Sequence, residues 1–182
     1  VEESCGQVST GGAKVLIAFA TMYGRTFKIA EGISETLCED GYQVDIRFAK
    51  DITEDDLAAY DAVILGSNIY IEEWNKEALD FLEKYQPTLA QKKVAYYCVC
   101  ALLGMDFDDA EALTQEHYIQ PMYERFPDIE PLDITAFAGA VNYRIMTFRD
   151  WIMMRSMFMP GGDWTDWEAV DTWADKISGL LQ

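Results

Sequence analysis

The run Val15-Leu16-Ile17-Ala18-Phe19-Ala20, followed at once by Thr21-Met22-Tyr23-Gly24-Arg25-Thr26, decides the fold. Six consecutive apolar residues are buried on both faces, as a strand inside a parallel sheet is. The turn after them carries hydroxyls and a glycine. A helical pattern begins near Phe27, with Ile29, Ile33 and Leu37 on one face. Strand, short turn and helix N-terminus together make an anion site, because free backbone N–H groups and the positive end of the helix dipole point at the same place. Thr21 and Thr26 offer hydroxyls, Gly24 lets the backbone approach closely, and Arg25 offers a charge-assisted contact. The competing reading is an ordinary strand-to-helix turn capped by a threonine.

Working outward, the same alternation repeats. The spacing predicts a helix over Thr26–Asp40 stopped by Gly41, a strand over Gln43–Phe48 and a short acidic helix over Thr53–Tyr60. A strand over Ala62–Leu65 ends in Gly66-Ser67, and a helix spans Trp74–Tyr85. Another buried strand covers Val94–Cys100. Asp108–Phe126 reads as helix broken in two by Pro121, and Ile134–Val141 as the fifth strand. Trp167, Val170, Trp173, Ala174, Ile177 and Leu180 line one face of a closing helix. Strands separated by helices predict an α/β, doubly wound, five-stranded parallel sheet of order 2-1-3-4-5 with helices on both faces. The chain divides into a flexible polar leader over residues 1–12 and a single domain over 13–182, with a Met-rich apolar insert at about 144–160.

Composition narrows the function. With 14 basic against 32 acidic residues, the net charge is −18, which argues against a nucleic-acid partner, since phosphate neutralisation needs clustered Lys and Arg. The same charge suits docking to a basic partner protein, and equally a solvated acidic surface with no partner. The four cysteines (Cys5, Cys38, Cys98 and Cys100) read as reduced thiols of a cytoplasmic protein, and no second ligand pair exists for a metal. Asp106, Asp108, Asp109 and Glu111 read as a helix N-terminus, and His117 as a surface residue.

In a doubly wound sheet, ligands bind beyond the carboxyl ends of the strands where the winding reverses, here between the first and third strands. Three loops converge there: the phosphate turn, Ser67-Asn68-Ile69-Tyr70 after the third strand, and Val99-Cys100-Ala101-Leu102 after the fourth. Tyr70 and Trp74 are positioned to offer an aromatic face to a flat ligand, or to pack their own loop.

The turn fits the flavodoxin-like pattern Thr/Ser-x-x-Gly-x-Thr. Ala138-Gly139-Ala140, Tyr143, Asp150, Gly161-Gly162 and Thr165-Asp166-Trp167-Glu168 resemble the menaquinone-dependent protoporphyrinogen oxidase branch of that superfamily, over about Lys14 to Leu181. The resemblance implies a flavodoxin-like fold and one FMN, held without a covalent bond. Where that branch carries Ser-Ile-Arg-Tyr-Gly, this chain has Asn68-Ile69-Tyr70-Ile71-Glu72, without the arginine. The first expectation is therefore an FMN electron-transfer protein serving a redox partner protein. The alternative is a protoporphyrinogen IX dehydrogenase passing electrons to a quinone. In either case the flavin carries the redox chemistry, so no side chain is assigned as catalytic acid or base.

The insert is the odd segment. Read as a helix, Ile145, Phe148, Trp151, Ile152, Met153, Met154, Met157, Phe158 and Met159 surround most of its circumference, and Arg144, Arg149 and Arg155 are unusual in so acidic a chain. Something must cover such a helix. Its own domain, a homodimer contact and a peripheral membrane surface where quinone is met are the three candidates.

Overall fold

The computed structural model describes residues 2–6, 13–105 and 108–182. Strand β2 (Lys14–Ala20) lies at the centre, with Val15 to Ala20 all buried. It pairs in parallel with β3 (Gln43–Phe48) on one side and β4 (Ala62–Tyr70) on the other; Val15 sits opposite both Val44 and Ala62. Next to β4 run β6 (Lys93–Cys100) and β7 (Ile134–Ala138), also parallel. The five parallel strands therefore stand in the expected order 2-1-3-4-5.

Alternate side chains of β2 feed two cores. Leu16, Ala18 and Ala20 pack towards α3 (Lys76–Leu89) together with Leu57 of α2 (Glu54–Leu57). Val15, Ile17 and Phe19 pack towards α1 (Arg25–Glu39) and the closing helix (Trp167–Leu181). Period-2 alternation thus produces the two covered faces that a parallel sheet requires.

Several boundaries differ from the sequence expectation, each for a local reason. Strand β4 does not stop at Leu65 but runs to Tyr70 and folds back as a hairpin on β5 (Glu73–Trp74). The two turn residues, Ile71 and Glu72, take positive φ values of 49° and 63°. That is the backbone a two-residue hairpin needs, and it is strained for a β-branched isoleucine. Helix α3 then begins after Asn75, whose side chain accepts a hydrogen bond from the Glu77 N–H. Over 110–125, α4 (Ala110–Thr114) and α5 (Gln120–Arg125) are joined by a π turn, Gln115–Ile119, just before Pro121. The proline ring cannot accommodate a regular turn, so the helix widens rather than stops. Asp106 lies outside the described residues.

The expected fifth strand splits. After β7, the Gly139 N–H donates to the Cys100 carbonyl at 2.9 Å, and the chain leaves the sheet as β8 (Ala140–Val141), paired with β9 (Gly162–Asp163). Between them, α6 (Phe148–Ser156) is the only helical part of the insert. The closing helix, α7 (Trp167–Leu181), buries Val170, Trp173, Ala174, Ile177 and Leu181 and leaves Trp167 and Leu180 exposed; Leu181, not Leu180, completes its inner face.

The cysteine reading also needs correction. Residues Glu3–Cys5 form β1, an antiparallel edge strand on β3, and Cys5 is disulfide-bonded to Cys38 of α1, with Cα atoms 6.1 Å apart. Only Cys98 and Cys100 remain free thiols. Residues 7–12 of the expected leader lie outside the described residues.

Candidate functional site

A cavity opens at the carboxyl ends of β2, β4 and β6, where the winding reverses. From the first loop it is lined by Thr21, Met22, Tyr23, Arg25 and Thr26. The second contributes Asn68, Ile69 and Tyr70, and the third Val99, Cys100 and Ala101. Gly24, Ser67 and Leu102 stand outside this lining.

The first turn leaves backbone donors open. Gly24 sits at the N-cap of α1 with φ 86°, a conformation that glycine adopts without strain. Its N–H donates to Thr21 Oγ1 at 3.0 Å, which shapes the turn. No side chain caps the N-terminus of α1, and no acidic residue occupies its first turn. The first N–H groups of a helix have no intrahelical acceptor, so this end stays open as a donor site. Thr26 stands beside it, fully buried; its Oγ1 has no hydrogen-bond partner among the described residues. Its carbonyl accepts from the Tyr97 hydroxyl at 2.9 Å, which pins the turn to the sheet. Arg25 is ion-paired with Asp163, so its charge is already shared.

The second loop is stitched from behind. Ser67 is fully buried; its hydroxyl donates to the Asn68 carbonyl at 3.0 Å and accepts from the Asn75 N–H at 2.9 Å. Asn75 Nδ2 donates to Asn68 Oδ1 at 2.9 Å. These bonds fix the hairpin and spend Ser67 on structure. Trp74 offers no face to the cavity: it is buried, and its indole N–H donates to the Tyr118 carbonyl at 2.8 Å. In the third loop, Cys100 is a buried neighbour of Thr114, and burial pushes its thiol pKa up, so it stays protonated.

One cavity residue comes from far along the chain. Asp150 of α6 is buried, and its carboxylate accepts hydrogen bonds from the hydroxyls of Tyr23, Tyr70 (2.9 Å) and Thr147 (2.9 Å). The bond from Tyr23, followed by those from Tyr70 and Thr147, holds the Asp150 carboxyl below its usual range against the opposing effect of burial. The same contact, with some desolvation, raises the Tyr70 phenol. One carboxylate thus clamps two tyrosines from two cavity loops. Its local signal in the sequence is Thr147-x-x-Asp150, a helix-start pattern that does not point to the cavity. Met146 and Met154 of the insert, with Gly139, Ala140 and Val141, complete the wall.

A parallel doubly wound sheet of this order, with an uncapped helix N-terminus at its switch point, is the flavodoxin-like fold. The family description "Flavodoxin domain" matches residues 16–167, and the chain belongs to that family. Among solved structures, it overlays a flavodoxin from the domain Archaea with TM-score 0.60 at 12% identity, covering 92% of this chain and 98% of that one. A flavodoxin from Streptococcus pneumoniae TIGR4 gives 0.56 at 17%, covering 92% and 99%. A flavo di-iron protein from Thermotoga maritima gives 0.59 at 13%, covering 93% of this chain but 36% of that one. In sequence, the chain is 24% identical over 177 residues to a Leishmania major protein named protoporphyrinogen IX dehydrogenase [quinone], covering 92% of this chain and 75% of the relative.

Proposed function

We propose that the protein binds FMN without a covalent bond and serves as an electron-transfer protein. The observation that carries this reading is the uncapped N-terminus of α1 with Thr26 Oγ1 buried beside it. A buried hydroxyl without a partner costs about 1–3 kcal/mol, and a phosphate oxygen supplies the missing acceptor. In this reading Thr21, Met22, Tyr23, Gly24, Arg25 and Thr26 hold the phosphate, with Arg25 shared between it and Asp163. Asn68, Ile69 and Tyr70 on one side, and Val99, Cys100 and Ala101 on the other, hold the ring; Ser67 and Leu102 support from behind. Bound FMN supplies the redox chemistry through its ring. The chain's own work is to orient and shield that ring, and Asp150 keeps Tyr23 and Tyr70 in place for it. The net charge of −18 suits a basic protein as redox partner.

The test is a titration with FMN and with riboflavin, which lacks the phosphate. FMN should bind at least about tenfold tighter, because charge-assisted bonds to the turn are absent for riboflavin. Thr26→Glu, which sets a carboxylate against the phosphate, should abolish FMN retention. Equal affinities for the two ligands would overturn the phosphate assignment.

A second reading, oxidation of a porphyrinogen with transfer to a quinone, is favoured by the insert, whose Met146 and Met154 give the cavity an apolar wall. The name of the Leishmania relative points the same way. Anaerobic conversion of protoporphyrinogen that depends on added menaquinone would establish it. No quinone-dependent conversion would leave the carrier reading standing alone.

A further inference from the structure

Only part of the insert finds cover in its own domain: Met146 and Met154 line the cavity and Met159 is buried. Phe148 is 77% exposed, Phe158 93%, Met157 61% and Ile145 54%, while the sole buried residue of α6 is the polar Asp150. Phe158 also has φ 55°, a strained backbone for a bulky residue, at the point where its ring stands in solvent. Phe148 and Trp151 lie with their rings nearly parallel, 5° apart in plane, and both are exposed. So many exposed large apolar side chains within one segment mark an interaction surface.

The charge of the same surface identifies what it meets. Arg144, Arg149 and Arg155 all belong to the segment, all are exposed, and none forms an ion pair among the described residues. Its single acid, Asp150, is buried and occupied by three hydroxyls. In a chain of net charge −18, every exposed charge of this segment is positive. A second copy of the chain is a poor occupant: a two-fold contact would set three arginines against three arginines. An apolar medium edged by negative charge satisfies both features, and an anionic bilayer surface is that medium. Aromatic and aliphatic side chains enter the headgroup boundary while guanidinium groups meet lipid phosphates. No helix among the described residues is long and apolar enough to cross a membrane, so the segment lies on the surface. The opposing field of the acidic remainder is screened within about 8 Å at physiological salt.

We propose that residues 144–159 are a docking surface for anionic lipid bilayers, with Phe148, Trp151 and Phe158 as apolar anchors and the three arginines as phosphate contacts. Because Asp150, Met146 and Met154 of this segment also bound the cavity, docking brings the cavity mouth to the bilayer. This consequence rests on the flavin reading; the docking itself does not.

Flotation of the purified full chain with phosphatidylcholine vesicles, and with vesicles of equal parts phosphatidylcholine and phosphatidylglycerol, tests the proposal. Whether FMN is retained is read separately from the absorbance of the same sample, so failure of one claim is distinct from failure of the other. The expected result is flotation with the anionic vesicles, weakened by salt and slight with phosphatidylcholine alone. Phe148→Ser with Phe158→Ser should lower binding about tenfold or more, and Arg144→Gln and Arg149→Gln about fivefold each. These side chains are exposed, so an unchanged melting curve accompanies the loss. No flotation with anionic vesicles, or flotation indifferent to the phenylalanine pair, would overturn the proposal. So would a dimer in solution that the same pair of substitutions dissolves, which would make a second copy the occupant.

Discussion

Two helices border the cavity, and they begin in opposite ways. Helix α6 closes its own N-terminus: the Thr147 side chain accepts from the Asp150 N–H, and an acid sits in its first turn. Helix α1 has neither device, since its cap is Gly24 and its first turn holds no acid. The unmet donors of a helix end must go somewhere. At α6 the Thr147 side chain meets one of them, and at α1 no side chain meets any. The bodies of the helices are reversed in the same way. Ile29, Ile33 and Leu37 of α1 are fully buried, each contributing about 1.5–3 kcal/mol, while α6 buries no apolar side chain. One helix therefore belongs to the core with an uncapped end; the other is held by the Asp150 carboxylate and Met154 at the cavity and leaves Phe148, Trp151 and Ile152 exposed.

The contrast predicts a wide gap between substitutions on the two helices. Ile33→Ala should destabilise by about 3–4 kcal/mol through a core cavity, whereas Phe158→Ser should change stability by less than about 0.5 kcal/mol. Urea denaturation of both variants checks this, and a large loss at Phe158 would show that the insert is packed after all.

Asp150→Ala should cost about 2 kcal/mol, since it strips the acceptor from three hydroxyls, and should loosen α6 from the cavity. The pH dependence follows from the two shifts. The carboxyl is lowered, so its contribution is present above the ordinary carboxylate value of about 4 and fades as pH falls through the lower folded value. The Tyr70 phenol is raised, so its share is present below about 10 and fades as pH rises through the higher folded value. The stability difference between the protein and Asp150→Ala should be flat from about pH 5 to 9 and shrink outside that window. A difference constant down to the most acidic conditions would remove Asp150 from this role.

The smallest effect sharpens the comparison most. Thr26→Val removes a buried hydroxyl that has no partner, so without ligand it should stabilise by about 1 kcal/mol while weakening FMN binding. A thermal melt and an FMN titration of one variant should therefore move in opposite directions.

Much of this was legible in the sequence. Runs such as Val15–Ala20 and Val94–Cys100 are apolar on both faces, as a covered parallel sheet requires, and the turn proposed to hold the phosphate is contiguous in sequence. What stayed hidden depends on distant pairing. Asp150 meets Tyr70 and Tyr23 across 80 and 127 residues, and Cys5 finds Cys38 only because a three-residue edge strand with no apolar pattern joins β3. The Tyr70–Glu73 hairpin turn lacks the Gly or Asn that usually announces positive φ, so Ile71 and Glu72 gave no warning. The insert reads as a helix that its own domain, a second copy or a membrane surface could cover, and its partial exposure is a tertiary fact that periodicity does not carry.

The most direct measurement is the amide NMR spectrum of the protein as FMN is added. If the open end of α1 receives the phosphate, the N–H resonances of Arg25, Thr26 and Phe27 should shift far more with FMN than with riboflavin, while those at the start of α6 respond alike to both. Equal responses to the two ligands at Arg25, Thr26 and Phe27, or no response there, would contradict the account.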